Sequence, residues 1–465
     1  MRSMMKWTVG GVVGLVLSMG SGSLAAPPEL RGTWMTTTAN EAIANPANTA
    51  ESMKRLRAIG LNTVYVETWK NGYTQYPSQV LMDTIGVDRR PALMPADPSD
   101  PPERIREAGR DLLQETLIEA HRNQLIYIAW FEYGFMAAYK DTNNHLRRRK
   151  PEWLTQTRDG ELVSDQNPFV WMNPLHPEVR DFLMAIMLEA VDNYDLDGVQ
   201  LDDRIAWPVT MGYDPYTVEQ YKLEHNGAKP PADARDPDWV RWRAEKVGDF
   251  AERFYKELKQ KRPHLIVSIS PAIYPWSLEN YACDWRTWSR RGWMDEYLPQ
   301  IYRFNYETYL RDWPAQMDAA GPNRLMDLVS GIRVVGEGDD TTWPEMVQKM
   351  TLPRETGAGG HCHWFSRGVL DVYEQELTAF YDVANQGHAP HPKLGTTWRP
   401  APIEAVADEV DLNAWSVTVE QPGQYRVIAH DGETWGVVKS RFFYAGEHRL
   451  VIKDAAKVEL LVDRR

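Results

Sequence analysis

Asp197-Gly198-Val199-Gln200-Leu201-Asp202-Asp203-Arg204 is an apolar stretch that runs into two adjacent carboxylates and a cation. Side chains of a strand alternate faces, so Gln200 and Asp202 share one side while Leu201 and Asp203 share the other. A carboxylate at the C-terminal end of a parallel barrel strand lies on the face where such barrels build their reactive sites. One Asp can then face a pocket while its neighbour is held by Arg204. The competing reading is an Asp-Asp-Arg cluster that only organises the following loop, and the pattern alone leaves both open.

Working outward, short β-rich runs alternate with helical patterns, as in a parallel sheet wrapped by helices. Eight strands are expected, over residues 32–38, 63–69, 125–131, 198–203, 265–270, 297–302, 325–334 and 359–365. Helical stretches fall at 49–59, 103–123, 177–193 and 238–261, and one follows each of the fifth to eighth strands. The fold class expected is therefore α/β, a (β/α)8 barrel over residues 28–386. An open dinucleotide-binding sheet would need a Gly-rich loop after its first strand, and there is none. The longest connections follow the second, third and fourth strands and are expected to wall a groove. Behind a Pro- and His-containing linker at 387–392, the pattern of residues 394–465 changes to alternating strands with turns at Pro422-Gly423 and Asp431-Gly432. That reads as a small antiparallel β module, sandwich-like, serving either as a glycan-binding or wall-spacing unit or as a structural cap.

Residues 1–25 carry a short basic start, a short apolar middle and a small-residue end, the pattern of a secretory signal. Export to the periplasm or cell exterior is expected, with no membrane span after the signal. Two cysteines, Cys283 and Cys362, leave the question of one bridge open. A formal charge of −13 argues against nucleic acid as partner, because such binding draws on clustered cations. Nineteen tryptophans stand out. Indoles stabilise cores but also stack on sugar rings, so their positions matter.

Glycoside cleavage uses two carboxyl groups, and partners for Asp202 and Asp203 are sought at other strand ends. Glu67 lies in Tyr65-Val66-Glu67-Thr68-Trp69 and Glu132 in Ala129-Trp130-Phe131-Glu132-Tyr133. Aromatic neighbours partly desolvate a carboxyl and favour its protonated form, which suits an acid. Gln300 and Tyr302 at the sixth strand are candidates to bond sugar hydroxyls. Trp34, Trp69, Trp130, Trp207, Trp276 and Trp364 are candidate stacking platforms, with Arg204, Asn173 and His363 as further substrate contacts. His361 and His363, two apart on a strand, share a face, but the other strand ends offer Thr, Ser, Gln and Tyr, so neither a metal nor another cofactor is expected.

Leu30-Arg31-Gly32-Thr33-Trp34, Gly60-Leu61-Asn62-Thr63-Val64, Asp197 to Asp203, Ser268-Ile269-Ser270-Pro271 and Pro299-Gln300-Ile301-Tyr302 together resemble the glycosyl-hydrolase-like family ten, in order and spacing, from about Leu30 to Phe380. The resemblance implies a (β/α)8 barrel in exported bacterial proteins, some of which act on peptidoglycan glycan strands. Relatives often read Trp-Phe-Asn-Pro-Tyr-Arg after the third strand, where this chain has Trp130-Phe131-Glu132-Tyr133-Gly134-Phe135. The resemblance thus carries over Asp202 and Asp203, and not Glu132 or Glu67. The expectation is hydrolysis of a glycan polymer, peptidoglycan strands first. Its rivals are a barrel that binds glycan without cutting it and a metal-assisted carbohydrate deacylase.

Overall fold

A computed structural model describes residues 25–96, 99, 107–164 and 167–465. Residues 1–24 of the expected signal lie outside the described residues, as does the start of the helix expected at 103–123.

The barrel strands are β1 (Leu30–Met35), β2 (Thr63–Glu67), β3 (Ile126–Phe131), β4 (Gly198–Asp202), β5 (Ile266–Ser270), β6 in two pieces (Glu296–Tyr297 and Gln300–Ile301), β7 (Val329–Arg333) and β8 (Gly360–Trp364). All pair in parallel. The hydrogen-bonded order places the first piece of β6 beside β5 and the second beside β7, and a bridge from Tyr297 to Leu328 joins the two edges. Leu298-Pro299 interrupts β6 because proline has no N–H to give to the ladder, yet the eight strands close on themselves. Gly198 opens β4 for a steric reason: a Cβ there would stand 2.5 Å from Ile128 Cδ1 and 2.6 Å from the Ile266 carbonyl.

Helices α1 (Pro46–Ile59), α2 (Leu112–Arg122), α3 (Pro177–Asn193), α4 (Pro237–Lys261), α5 (Trp285–Arg290), α6 (Tyr306–Ala320), α7 (Trp343–Thr356) and α8 (Glu374–Tyr381) form the outer shell. Their starts follow local chemistry. Asn45, Asp111 and Asp236 cap α1, α2 and α4 with side-chain oxygens, and Pro177 occupies the first turn of α3.

Residues beyond the barrel form two antiparallel sheets. One holds β9 (Ile403–Glu404), β12 (Gly423–His430), β13 (Trp435–Phe443) and β15 (Lys457–Val462); the other holds β10 (Val406–Ala407), β11 (Ala414–Val419) and β14 (Gly446–Val451). Their shared core includes Trp415, Val427, Phe443 and Leu460. The preceding segment is a strap rather than a loose linker. Asn62 donates to the Ala389 carbonyl at 3.0 Å, and His391 Nε2 lies 3.2 Å from Glu296. Arg399 then reaches Asp195 and Asp197, just ahead of β4, at 2.7 and 2.6 Å. The β module is thus anchored toward the N-terminal end of the strands, with Ile118 of α2 packed against Ile428, Trp435 and Leu461. Cys283 and Cys362 are both free and buried.

Candidate active site

Inward-facing side chains fill the barrel. Trp34 donates its indole N–H to Gln200 at 2.8 Å, and Gln200 donates to Ser268 at 2.9 Å, making a polar-tied floor. Against Trp34, the rings of Trp130, Tyr302 and Trp364 form an aromatic basket, with Tyr302 stacked on Trp364 at 5.5 Å and Trp130 edge-on to Trp364 at 6.0 Å.

Asp202 lies inward at the end of β4 and is buried. Its Oδ1 accepts from the Asp203 backbone N–H and from Gln300 Nε2, and its Oδ2 accepts from Arg204 Nη1 at 2.8 Å. Burial pushes the Asp202 carboxyl well up from the carboxylate range, the charge of Asp203 adds to this, and Arg204 opposes it. Asp203 is more accessible, its side chain 31% exposed, and shares the same guanidinium nitrogen at 2.7 Å. Arg204 therefore neutralises one charge between two acids. Gln300 also donates to the Ser270 carbonyl at 3.0 Å, which fixes its amide toward Asp202.

A second acidic group stands beside the first, one or two strands away. Glu67 has a side chain fully removed from solvent and accepts from the Thr37 N–H, the Thr37 hydroxyl and Lys70 Nζ. Burial pushes its carboxyl up to about 7 against the pull of Lys70, with Glu132 adding to the rise. Glu132 lies 3.2 Å from Lys70 Nζ, close enough for an ion pair, although its Oε2 makes no hydrogen bond. Its charge also contributes to the upward shift of Asp202.

Two buried polar atoms of the aromatic basket have no hydrogen-bond partner among the described residues: the Trp130 indole N–H and the Tyr302 hydroxyl. Buried polar groups are normally satisfied, so two such atoms beside perturbed carboxyls mark a place suited to meet a polar ligand.

Several sequence candidates lie elsewhere. Trp69 is buried, bonded to the Gly134 carbonyl and packed on Phe182. Trp207 is buried against Trp242 and bonded to Thr155. Neither presents a ring face to a ligand, because each is packed against a helical residue, Phe182 of α3 or Trp242 of α4. Trp34 is wholly buried as the floor. Asn173 is spent on the loop itself, donating to Asp214 at 2.9 Å and Thr217 at 2.8 Å. His363, like His361, points outward from β8, and both rings meet the Tyr381 hydroxyl of α8. Burial drops the His363 imidazole to about 3, so it is neutral packing, not a substrate contact. Trp364 is partly exposed and Trp276 is 46% exposed, leaving these two with accessible rings. Lys70 and Thr37 were not singled out by the sequence. Lys70 follows a strand end by three residues in a turn-bearing stretch, Lys70-Asn71-Gly72, and that hairpin signal was the one clue available.

The fold and family can be set beside known proteins. The Glycosyl hydrolase-like 10 family matches residues 29–318. Glycosyl hydrolase YngK of Bacillus subtilis (strain 168) is 26% identical over 282 residues, covering 54% of this chain and about half, 51%, of that protein. Glycosyl hydrolase DigH of Escherichia coli (strain K12) is 25% identical over 332 residues, covering 63% of this chain and 67% of that protein. Among solved structures, the PgaB (BpsB) glycoside hydrolase domain from Bordetella bronchiseptica superposes with a TM-score of 0.55 at 14% identity, over 77% of this chain and 99% of that one. Alpha-L-fucosidase isoenzyme 2 from Paenibacillus thiaminolyticus gives 0.51 at 14% identity, over 82% and 51%. With the family match spanning most of the barrel and the carboxyl-lined mouth at its C-terminal face, the chain belongs to the Glycosyl hydrolase-like 10 family of glycoside hydrolases.

Proposed function

We propose that the protein hydrolyses a glycan polymer, with peptidoglycan glycan strands the first candidate, using carboxyl groups from the ends of β3 and β4. The observation that carries this reading is the placing of Asp202, buried and biased toward keeping its proton, one strand from Glu132, whose Oε2 is ion-paired to Lys70 at 3.2 Å and whose charge reaches Asp202. Cleavage of a glycosidic bond needs one group to protonate the departing oxygen and another to attack the anomeric carbon or to activate water. Asp202 is the acid and Glu132 the nucleophile or base. The sequence pointed to a glutamate as the acid; here Lys70 supplies the countercharge to Glu132 while Asp203 crowds Asp202 with a like charge.

Asp203 and Arg204 tune the acid, and Gln300 orients it. The Tyr302 hydroxyl and the Trp130 N–H bind sugar hydroxyls or the ring-bearing substituents, while Trp364 and Trp276 stack on ring faces. Glu67, shut off from solvent, acts through Lys70. Residues 28–386 are the catalytic unit, and 394–465 form an attached module that braces the opposite end of the barrel. The resemblance to a family some of whose members act on peptidoglycan glycan strands, and the signal-like pattern of residues 1–25, favour an exported enzyme and a wall glycan. No helix among the described residues is long and apolar enough to cross a membrane.

The test is release of new reducing ends from amidase-stripped peptidoglycan and from plain polysaccharides. Asp202→Asn and Glu132→Gln are each expected to lose turnover while retaining substrate. Wild-type rates in both variants contradict the reading.

A further inference from the structure

Lys70 stands between two buried glutamates and belongs to neither barrel strand. It closes a two-residue strand, Trp69–Lys70, that pairs antiparallel with Tyr73–Thr74. The intervening Asn71 and Gly72 both take positive φ, 50° and 80°, as a tight two-residue hairpin turn requires. The tip is pinned from the next loop: Asn144 Nδ2 donates to the Asn71 carbonyl at 2.8 Å, and the Tyr139 N–H donates to Asn71 Oδ1 at 2.8 Å. A Cβ on Gly72 would stand 2.7 Å from Asn144 Nδ2, so the approach is close. The hairpin root is tied to β3 as well, with the Thr68 N–H on the Trp130 carbonyl at 2.8 Å and the Tyr133 N–H on the Trp69 carbonyl at 3.2 Å. Lys70 is thereby returned over the mouth, with Nζ 2.7 Å from Glu67, 3.2 Å from Glu132 and 3.1 Å from the Thr38 hydroxyl.

We propose that Lys70 is a positioning residue for the hydrolytic reaction: anchored by Glu67 and Thr38, its ammonium holds the Glu132 carboxylate in place opposite Asp202. The proposal rests on the reading of Glu132 and Asp202 given above. Glu132 makes no hydrogen bond through Oε2, so the ion pair with Lys70 is the one charged contact that orients this oxygen among the described residues. Glu67 does not touch substrate, and its place behind Lys70 explains why a carboxyl is buried at that depth. Burial works against the Lys70 ammonium, but Glu132 and Glu67 outweigh it and hold its pKa above the usual lysine value. The charged and titratable groups around the cluster are Glu67 and Arg90 from the second strand and its loop, Glu132 and Tyr133 from the end of β3, and Asp202, Asp203 and Arg204 from the end of β4.

The experiment compares Lys70→Met, Lys70→Arg and Glu132→Gln in the full-length protein, on amidase-stripped peptidoglycan glycan strands. Lys70→Met is expected to lower kcat on the order of 10²-fold with KM within a few-fold. It is also expected to move the acid limb of the kcat/KM profile upward, since removing a cation raises neighbouring carboxyl pKa values. Lys70→Arg keeps the charge and is expected to recover most of the loss. A Lys70→Met variant with wild-type kcat and pH profile, alongside an inactive Glu132→Gln, overturns the role of Lys70 alone. A fully active Glu132→Gln overturns both this role and the reading it rests on. One readout needs no turnover: carboxyl carbon NMR of glutamate-labelled protein follows Glu67, pushed up to about 7, and its midpoint is expected to rise further in Lys70→Met. An unmoved midpoint overturns the clamp.

Discussion

The two ends of β4 carry two pairs of buried or half-buried aspartates with opposite fates. At the start of the strand, Asp197 accepts from Arg399, the Trp398 indole, His121 and the Tyr127 N–H, and Asp195 meets Arg399 and Arg426. Burial alone would raise the Asp197 carboxyl, yet Arg399 and His121 overcome it and hold it far below the usual range. At the end of the strand, Asp202 is equally buried, but a like charge sits next to it and a single Arg204 serves both acids, so its carboxyl is raised. The ratio of cations and donors to carboxylates, rather than depth, decides the outcome. A satisfied pair fastens the β module to the barrel. An under-compensated pair is suited to moving a proton.

The largest expected contrast is between Asp202→Asn and Asp197→Asn. The first is expected to lower kcat on the order of 10³-fold with the unfolding midpoint nearly unchanged. The second removes one of the two carboxylates that face the buried Arg399 and is expected to cost about 3 kcal/mol of stability while sparing turnover at temperatures where the protein stays folded. Chemical denaturation and initial rates on the same samples separate the two, and comparable losses of activity in both would erase the distinction.

Next in size is the dependence of stability on pH. His121 and His363 are lowered from 6.5 to about 4 and about 3, chiefly by burial, so the unfolded chain binds their protons first. Their contribution is present above pH 6.5 and is lost as pH falls toward 4 and 3. Glu67 has the opposite sign. Its folded value is raised from 4.5 to about 7, so its contribution is present below 4.5 and is lost as pH rises through 7. Melting curves are expected to show acid-side loss in wild type and in Glu67→Gln, with the neutral-side loss reduced only in Glu67→Gln. A curve that Glu67→Gln leaves unchanged between those values would remove Glu67 from the balance.

The smallest effects concern the unpartnered donors. Tyr302→Phe removes a buried hydroxyl that has no partner, so stability is expected to hold or rise slightly while substrate binding weakens by about 1 kcal/mol. Trp276→Ala, at an exposed rim position, is expected to raise KM only a few-fold. Equal KM values in wild type and Tyr302→Phe would mean that the hydroxyl meets no sugar.

The eight strands were legible because each is a short apolar run with its turn signals nearby, and β4 announced itself by ending in Asp202 and Asp203. Parity within that strand was also legible, since Gln200 and Asp202 do share the inward face. Orientation past a strand end was not. Trp69 and Trp207 lie just past their strands but pack against Phe182 of α3 and Trp242 of α4, and nothing local distinguishes a ring on the rim from one in the shell. His361 and His363 do share a face, but it is the outer one, against Tyr381. Lys70 was missed because its role depends on a hairpin returning over the barrel mouth, a placement fixed by Asn144 more than seventy residues later.

The central claim is that Asp202 and Glu132 flank one glycosidic bond, and a structure of the Asp202→Asn variant with a peptidoglycan-derived oligosaccharide tests it most directly. The expected result places the bridging oxygen between residues 202 and 132, one sugar face on Trp364 and a sugar hydroxyl on Tyr302. A glycan seated away from β3 and β4, with Glu132 still turned only to Lys70, would contradict it.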